Sequence, residues 1–242
     1  MASGLDRVVR SVAARARPGE PLVVGITGAV AAGKSTFAGQ LRDALAAQGP
    51  RTELVCTDGF LMTNERLTEL GLLDQKGFPP SYDQAAMHAA LAAARKGPAV
   101  FPAYSHVIYD VDPALARTVE APDVLIVEGL NLHHRAQPQP PSPDPVDLLI
   151  YIDADEALLE AWFLERFMGL WDAAEHDPTS FYARFRPLGR EGTLGLARQV
   201  WEGINLRNLR ENIVHARAGA DLVVRKGEGH GVIEVTGPAA AP

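Results

Sequence analysis

Short apolar runs alternate along the chain with longer stretches in which apolar residues recur at helical spacing. The apolar runs are rich in Val, Ile and Leu without strict alternation, which is typical of strands buried on both faces of a sheet. The predicted strands are Leu22–Thr27, Glu53–Thr57, Val124–Val127, Leu148–Ile152, Leu222–Arg225 and Val232–Val235. The predicted helices are Ser35–Gln48, Gln84–Lys96, Glu156–Leu170 and Leu194–Ile213. This order predicts βαβ units, and therefore an α/β fold with a parallel sheet flanked by helices on both faces.

Three segments depart from this alternation. Residues 1–20 predict a short amphipathic helix, although an Arg-rich, acid-poor start also fits a transit peptide. Residues 137–145 form a proline-rich connector, and residues 237–242 are expected to be a flexible tail. None of these segments indicates a second globular unit, so residues 1–242 are interpreted as a single domain.

Composition narrows the class of protein. The chain is 47% hydrophobic and 22% charged, which indicates a globular protein. Its net charge is −7 and no basic block stands out, so nucleic acid is not an expected partner. No apolar run is long enough to cross a bilayer, and no membrane association is expected. The single cysteine, Cys56, lies in an apolar run and fits a reducing, cytoplasmic location as a small buried hydrophobe.

A glycine-rich segment follows the first predicted strand and precedes a predicted helix. It fits the pattern GxxxxGK[ST] with the residues Gly28, Ala29, Val30, Ala31, Ala32, Gly33, Lys34 and Ser35, followed by Thr36. Such a loop turns successive backbone N–H groups towards phosphate oxygens, and the helix N-terminus adds the positive end of its dipole. Lys34 can then reach the phosphates of ATP, and the Ser35 hydroxyl can bind Mg²⁺. The segment predicts a P-loop.

Two carboxylates follow the next predicted strands. Asp58 comes after the second strand and Glu128 after the third, although acidic residues are uncommon in buried strands. Ligands bind at the carboxyl ends of strands in open α/β sheets, so both are expected to face the P-loop. Phosphoryl transfer to an alcohol needs a base and a carboxylate near Mg²⁺, which we assign to Asp58 and Glu128 respectively. The two roles could be exchanged, and a helix N-cap or turn is the structural alternative for each.

Further blocks give the chain a family resemblance. They are Thr57–Leu61, Lys76–Asp83, Pro102–Asp110, Val127–Asn131, Ile150–Asp155 and Asn208–Ile213. In this order they resemble the type I pantothenate kinases of bacteria, and the block PAYSHVIYD distinguishes these from uridine kinases and phosphoribulokinases. The resemblance implies a P-loop NTPase-type sheet with a small helical lid near residues 163–192. It also implies phosphorylation of the 4′-hydroxyl of pantothenate by ATP with Mg²⁺, the first step of coenzyme A biosynthesis.

The same resemblance assigns substrate contacts. By position, Asp58 matches the base of the family, and Tyr104, His106 and Asn205 match residues that contact pantothenate. Neutral donors and acceptors suit a ligand that carries hydroxyls, an amide and an apolar gem-dimethyl group. Without the resemblance, His106 is equally a loop histidine, Tyr104 a core residue and Asn205 an exposed helical position.

Two more positions are assigned by the resemblance. Arg166 matches an arginine on the helix that leads into the lid, where it could stabilise charge on the transferring phosphoryl group. A partner of Trp162 on the helix surface is the structural alternative for Arg166. His230 matches a histidine against the adenine ring. The family also forms homodimers and is restrained by coenzyme A.

Four departures from the family bear on substrate and regulation. Phe163 replaces a tyrosine, and Gly39 replaces an arginine on the helix after the P-loop. The lid segment Gly169–Trp171 differs too, and we expect that the family's N-terminal extension, which helps to hold adenine, has no counterpart before the first strand. These departures lead us to expect weak coenzyme A feedback. They also leave open a kinase for another small hydroxyl compound, such as a nucleoside, a sugar or glycerate.

A nucleotide-binding regulatory module without transfer activity is the alternative from another class. Such a module has no need of a base, whereas Lys34, Ser35, Asp58 and Glu128 are all retained here. The sequence therefore favours a kinase.

Overall fold

The computed structural model of the chain describes residues 4–17, 19–132 and 146–237. The strands are β1 (Leu22–Gly28), β2 (Thr52–Cys56), β3 (Ala99–Ser105), β4 (Asp110–Val119), β5 (Val124–Glu128), β6 (Leu148–Asp153), β7 (Leu222–Lys226) and β8 (Val232–Thr236). One sheet has the strand order β2–β5–β1–β6–β7–β8, and β3 and β4 form a separate hairpin. All the strands predicted from the apolar pattern are confirmed. The predicted connector at 137–145 and residues 238–242 lie outside the described residues.

Helices flank this sheet. They are α1 (Gly4–Ala13), α2 (Lys34–Ala46), α3 (Asn64–Glu69), α4 (Gln84–Ala94), α5 (Glu156–Ala173), α6 (Gly189–Val200), α7 (Arg207–Glu211) and α8 (Ala216–Gly219). Helix α2 packs against β1, β2 and β5, and α8 packs against β6. The predicted α/β architecture is confirmed. In the part of the chain that is described, no helix has the length and apolar content of a membrane span.

The sheet is parallel except at one edge. Strand β1 pairs in parallel with β5 and β6, and every residue of β1 and β5 is buried. Strand β8 runs antiparallel to β7. Only the short segment 227–231 joins these two strands, and a connection of this length permits a hairpin but no parallel crossover. The prediction of a parallel sheet therefore fails at this last strand.

The hairpin of β3 and β4 was not predicted. Most residues of β4 are exposed and both strands contain a proline, so neither gives the apolar run of a buried strand. The hairpin lies against the turn Thr57–Phe60 that follows β2. A Cβ at Gly59 would collide with the carbonyl of Pro102, so this close approach requires glycine. The contact places β3 beside the end of β2.

The predicted helix Leu194–Ile213 is divided. A π-helical segment, Trp201–Leu206, separates α6 from α7. Trp201 is buried and its ring lies 5.7 Å from that of Phe163 on α5. A π-helical turn holds an additional residue, which apolar periodicity does not reveal. The lid assigned to 163–192 and the single-domain organisation stay predictions.

Candidate active site

The glycine-rich segment forms a tight loop between β1 and α2. Its backbone adopts left-handed φ angles of 62° at Ala31 and 75° at Gly33, and Gly28 has φ 145°. A Cβ at Gly28 would collide with the carbonyl of Ile152 on the neighbouring strand β6. The first fixed glycine is therefore required by close strand packing as well as by its φ angle. The loop has the backbone form of an anion-binding nest that leads into a helix N-terminus.

Lys34 is buried within this loop. The residue is only 8% exposed, and its Nζ donates a hydrogen bond to the carbonyl of Ala29 at 2.8 Å. Burial lowers the pKa of Lys34, and the nearby carboxylates of Glu128 and Asp58 partly offset this effect. A poorly hydrated ammonium of this kind gains from a bound anion such as a polyphosphate.

Ser35 and Glu128 lie together at the start of α2. The Ser35 hydroxyl donates to Glu128 Oε1 at 2.9 Å. A hydroxyl and a carboxylate are hard oxygen ligands, and Mg²⁺ usually binds few protein groups and completes its shell with water and phosphate oxygens. The described residues hold no cluster of three or more His, Cys, Asp or Glu side chains that would suit another kind of metal site. The pair therefore fits a Mg²⁺ ion that is shared with a bound nucleotide.

The strand register explains why the two predicted carboxylates meet the P-loop. Glu128, the last residue of β5, lies between Cys56 of β2 and Ile26 of β1. Asp58 follows β2 in the turn Thr57–Phe60. The convergence expected from the sequence is present: the P-loop and both carboxylates share one edge of the sheet.

Asp58 lines a cleft of about 230 Å³ beneath the hairpin. Glu128 also lines the cleft, and β3 contributes Tyr104, with His106 just beyond it. The hydroxyl of Tyr82 donates to Asp58 Oδ1 at 3.2 Å. Three of the predicted acceptor-site residues are thus brought to one cavity.

Arg166 reaches the same region from α5. Its Nη2 lies 3.1 Å from His106 Nε2. Because a guanidinium only donates, His106 Nε2 is the acceptor and its ring is neutral in this contact. Burial, followed by the positive charge of Arg166, lowers the pKa of His106. The Tyr104 ring meets His106 edge to face at 5.2 Å, so these three predicted residues form one group.

Neither Asn205 nor His230 is among the described residues that line the cleft. Asn205 is half-buried in the π-helical segment, and its side chain makes no hydrogen bond within the described ranges. His230 stands in the turn between β7 and β8 with φ 61°, stacks on Trp162 at 3.9 Å and lies beside Gly33. The structure therefore places His230 next to the P-loop, and the role of Asn205 stays a prediction.

Several residues at the site were missed. Lys76 donates to the carbonyl of Tyr109 at 2.7 Å and lies over the Tyr104 ring, and Lys226 donates to the carbonyl of Gly33 at 3.1 Å. Burial lowers the pKa of both lysines to about 8. The block KGFPPSYD contains Lys76 and Tyr82, which is the signal that could have identified them. Lys226 lies outside every block and carried no signal.

Comparison with known proteins agrees with this geometry. The family model of phosphoribulokinase and uridine kinase matches residues 23–169. The pantothenate kinase of Rhizobium rhizogenes is 45% identical over 225 residues, covering 89% of this chain and 68% of that protein. The pantothenate kinase of Agrobacterium fabrum is 46% identical over 220 residues, covering 87% and 68%.

A solved structure has a similar fold. A kinase of Silicibacter sp., provisionally assigned to fructose transport, superposes with a TM-score of 0.73 and 25% identity, covering 92% of this chain and 99% of its own. The fold, the P-loop and these relatives agree. The chain belongs to the phosphoribulokinase/uridine kinase family and is a P-loop phosphotransferase that acts on a hydroxyl acceptor.

Proposed function

We propose that this kinase transfers the γ-phosphoryl group of ATP to the 4′-hydroxyl of pantothenate, the first step of coenzyme A biosynthesis. The observation that carries the proposal is the cleft in which Asp58 lies with Tyr104 and His106, at the sheet edge that also holds the P-loop. Relatives that are 45% and 46% identical and are named pantothenate kinases support the choice of acceptor.

The contacts support separate roles for the two carboxylates. Glu128 accepts a hydrogen bond from Ser35, whereas Asp58 lines the acceptor cleft and accepts a hydrogen bond from Tyr82. Asp58 takes the proton of the acceptor hydroxyl, whose oxygen bonds to the γ-phosphorus as the bond to the β,γ-bridging oxygen breaks. ADP leaves with that oxygen.

The phosphates are held by the P-loop. Its backbone N–H groups and Lys34 bind them, and Arg166 stabilises charge on the transferring group. Ser35 and Glu128 would hold Mg²⁺, which neutralises charge on the phosphate oxygens when bound. His230, beside Gly33, would lie against the adenine ring.

The cleft also suits the rest of the acceptor. Phe101 and Ala103 supply apolar lining for a gem-dimethyl group, and Tyr104 and His106 supply neutral polar groups. Asn205 would complete the contacts from the π-helical segment. Phe163 is buried against Phe167 and Trp201, and it lacks the hydroxyl that the family resemblance places near the substrate.

A substrate panel tests the proposal. ADP release would be followed with pantothenate, uridine, fructose and D-glycerate as acceptors, and the product would be identified by phosphorus NMR. We expect pantothenate to have the highest kcat/KM, and the Lys34→Ala variant to abolish the signal. A higher kcat/KM for any other acceptor would overturn the proposed substrate, and absence of transfer to every compound would overturn transfer itself.

Assembly and location are further proposals. The family resemblance favours a homodimer. The composition and charge of the chain favour the cytoplasm and argue against nucleic acid or a membrane as a partner. Size-exclusion chromatography with light scattering measures the mass in solution directly. A monomer at assay concentration would contradict the dimer.

A further inference from the structure

A single backbone carbonyl joins three distant segments next to the active site. The Gly77 oxygen accepts hydrogen bonds from Asn131 Nδ2 at 2.7 Å and from Asn208 Nδ2 at 2.8 Å. Gly77 lies in the loop before α4, Asn131 follows β5, and Asn208 lies in α7. A carbonyl oxygen has two lone pairs, and the two amides fill both of them. We call Asn131 and Asn208 the asparagine clamp.

The surroundings of the clamp fix its direction. A carbonyl only accepts hydrogen bonds, so each asparagine must turn its NH₂ group towards Gly77. Asn208 is 2% exposed, and its Oδ1 accepts from Asn212 Nδ2 at 2.9 Å. Asn131 Oδ1 is buried without a hydrogen-bond partner among the described residues.

The clamped loop carries two residues, Lys76 and Tyr82, that contact the cleft-lining residues Tyr104 and Asp58. At its start, Lys76 Nζ donates to Asn64 Oδ1 at 2.6 Å and to the carbonyl of Tyr109 at 2.7 Å. At its end, the Tyr82 hydroxyl donates to Asp58 Oδ1 at 3.2 Å. The position of Gly77 therefore constrains a loop that is hydrogen-bonded at one end to the hairpin, through Lys76, and at the other end to the predicted base, through Tyr82.

We propose that Asn131 and Asn208 are positioning residues that act through Tyr82 on Asp58. The clamp holds the loop 76–82 so that the Tyr82 hydroxyl orients the Asp58 carboxylate towards the acceptor. The inference rests on the proposed acceptor site around Asp58, whatever the alcohol, and neither asparagine is among the residues that line the cleft. It also links α7, one turn beyond Asn205, to the chemistry at the end of β2.

A double-mutant cycle tests this role. Asn208→Ala, Tyr82→Phe and the combined variant are compared by kcat and KM for the acceptor and for ATP. We expect Asn208→Ala to lower the acceptor kcat/KM by about tenfold, because it removes a buried hydrogen bond, and to change the ATP KM by less than about twofold. In the Tyr82→Phe background the same change should cost less than about threefold, because Tyr82 no longer carries the effect.

Two further variants keep the result interpretable. Asn212→Ala removes only the bond to Asn208 Oδ1, leaves both donors to Gly77 in place, and should stay within about twofold of wild type. Asn131→Ala releases the same carbonyl from the other side and should show the same dependence on Tyr82, which covers the case that Asn208→Ala does not fold. Thermal unfolding of each variant is measured in parallel.

The outcomes separate cleanly. Three results would each overturn the clamp. The first is that Asn208→Ala still lowers the acceptor kcat/KM by a full tenfold in the Tyr82→Phe background. The others are that Asn208→Ala raises the ATP KM by tenfold, or that Asn212→Ala lowers the acceptor kcat/KM by tenfold. The acceptor used is the panel alcohol that the unmodified enzyme phosphorylates fastest. If pantothenate is not phosphorylated in the substrate panel, the proposed substrate is wrong. The kcat/KM comparisons among the variants, made with the acceptor that is phosphorylated, still test the clamp.

Discussion

The Ser35 hydroxyl donates a hydrogen bond to Glu128 at 2.9 Å, and this contact joins the first turn of α2 to the last residue of β5. Both oxygens are available to one Mg²⁺ ion when a nucleotide is bound. Glu128→Gln keeps the size of the side chain and can still bond to Ser35, but it loses the negative charge. We expect the Mg²⁺ concentration for half-maximal activity to rise by about tenfold or more. A titration of activity with Mg²⁺ at saturating ATP measures this, and an unchanged midpoint would contradict the assignment.

The second prediction concerns Asp58. Asp58→Asn keeps the shape of the side chain and its bond to Tyr82, but the amide cannot accept the acceptor proton. We expect kcat to fall by roughly 10²–10⁴ with little change in ATP affinity. Steady-state kinetics with both substrates varied gives the measurement. A rise in the acceptor KM with kcat unchanged would show that Asp58 positions the acceptor and does not act as the base.

The apolar pattern was sufficient for the central strands β1, β5 and β6 because these are buried on both faces. The run Val124–Val127, for example, corresponds to a strand in which every residue is buried. The hairpin could not be found in this way because β4 is mostly exposed and draws its stability from pairing with β3. Exposed strands with little apolar content leave no periodic signal.

The predicted site residues that follow strand ends or lie in the hairpin were brought together as expected. Asp58, Glu128 and the P-loop meet because parallel strands end at a common edge. Lys226 could not be predicted, since its side chain points to Gly33, which lies 193 positions away in the chain. Such a side-chain direction is set by tertiary structure.

The third prediction uses the environment of Lys226. This residue is 4% exposed, and burial followed by repulsion from Lys34 lowers its pKa from 10.5 to about 8. At pH 7 both the folded and the unfolded chain carry the charge, and the folded state bears the cost of burying it. Between about pH 8 and 10.5 the folded chain has lost this proton while the unfolded chain retains it, so stability rises with pH.

Lys226→Met removes the charge at similar length. We expect a higher free energy of unfolding than wild type at pH 7, by about 1–3 kcal/mol, and a difference that shrinks towards pH 10. The exposed Lys96 provides the control, since Lys96→Met should show no such dependence on pH. Denaturant unfolding at both pH values measures the difference. The same gain at pH 7 and pH 10 would contradict a buried charge as its cause.

The last prediction follows from Gly39. Coenzyme A feedback is expected from the family resemblance, in which an arginine at this position of α2 helps to hold the inhibitor's phosphates. A charge-assisted hydrogen bond to phosphate contributes about 1.5–3 kcal/mol, so its loss should weaken coenzyme A binding by about tenfold to a hundredfold. ATP should be less affected because Lys34 and the backbone of the P-loop still bind its phosphates. We therefore expect an active kinase that coenzyme A inhibits only weakly.

Gly39→Arg should partly restore that inhibition. A Cβ at Gly39 has no atom within 4 Å in its surroundings, so an arginine fits without displacing the helix. Gly39→Ala is the matched control, because it improves helix propensity at least as much as arginine without adding a charge and should leave inhibition weak. Inhibition by coenzyme A is titrated at fixed ATP for all three proteins. Strong ATP-competitive inhibition of the native chain would contradict the prediction and would point to Arg42, one turn further along α2, as the cation that replaces the missing arginine.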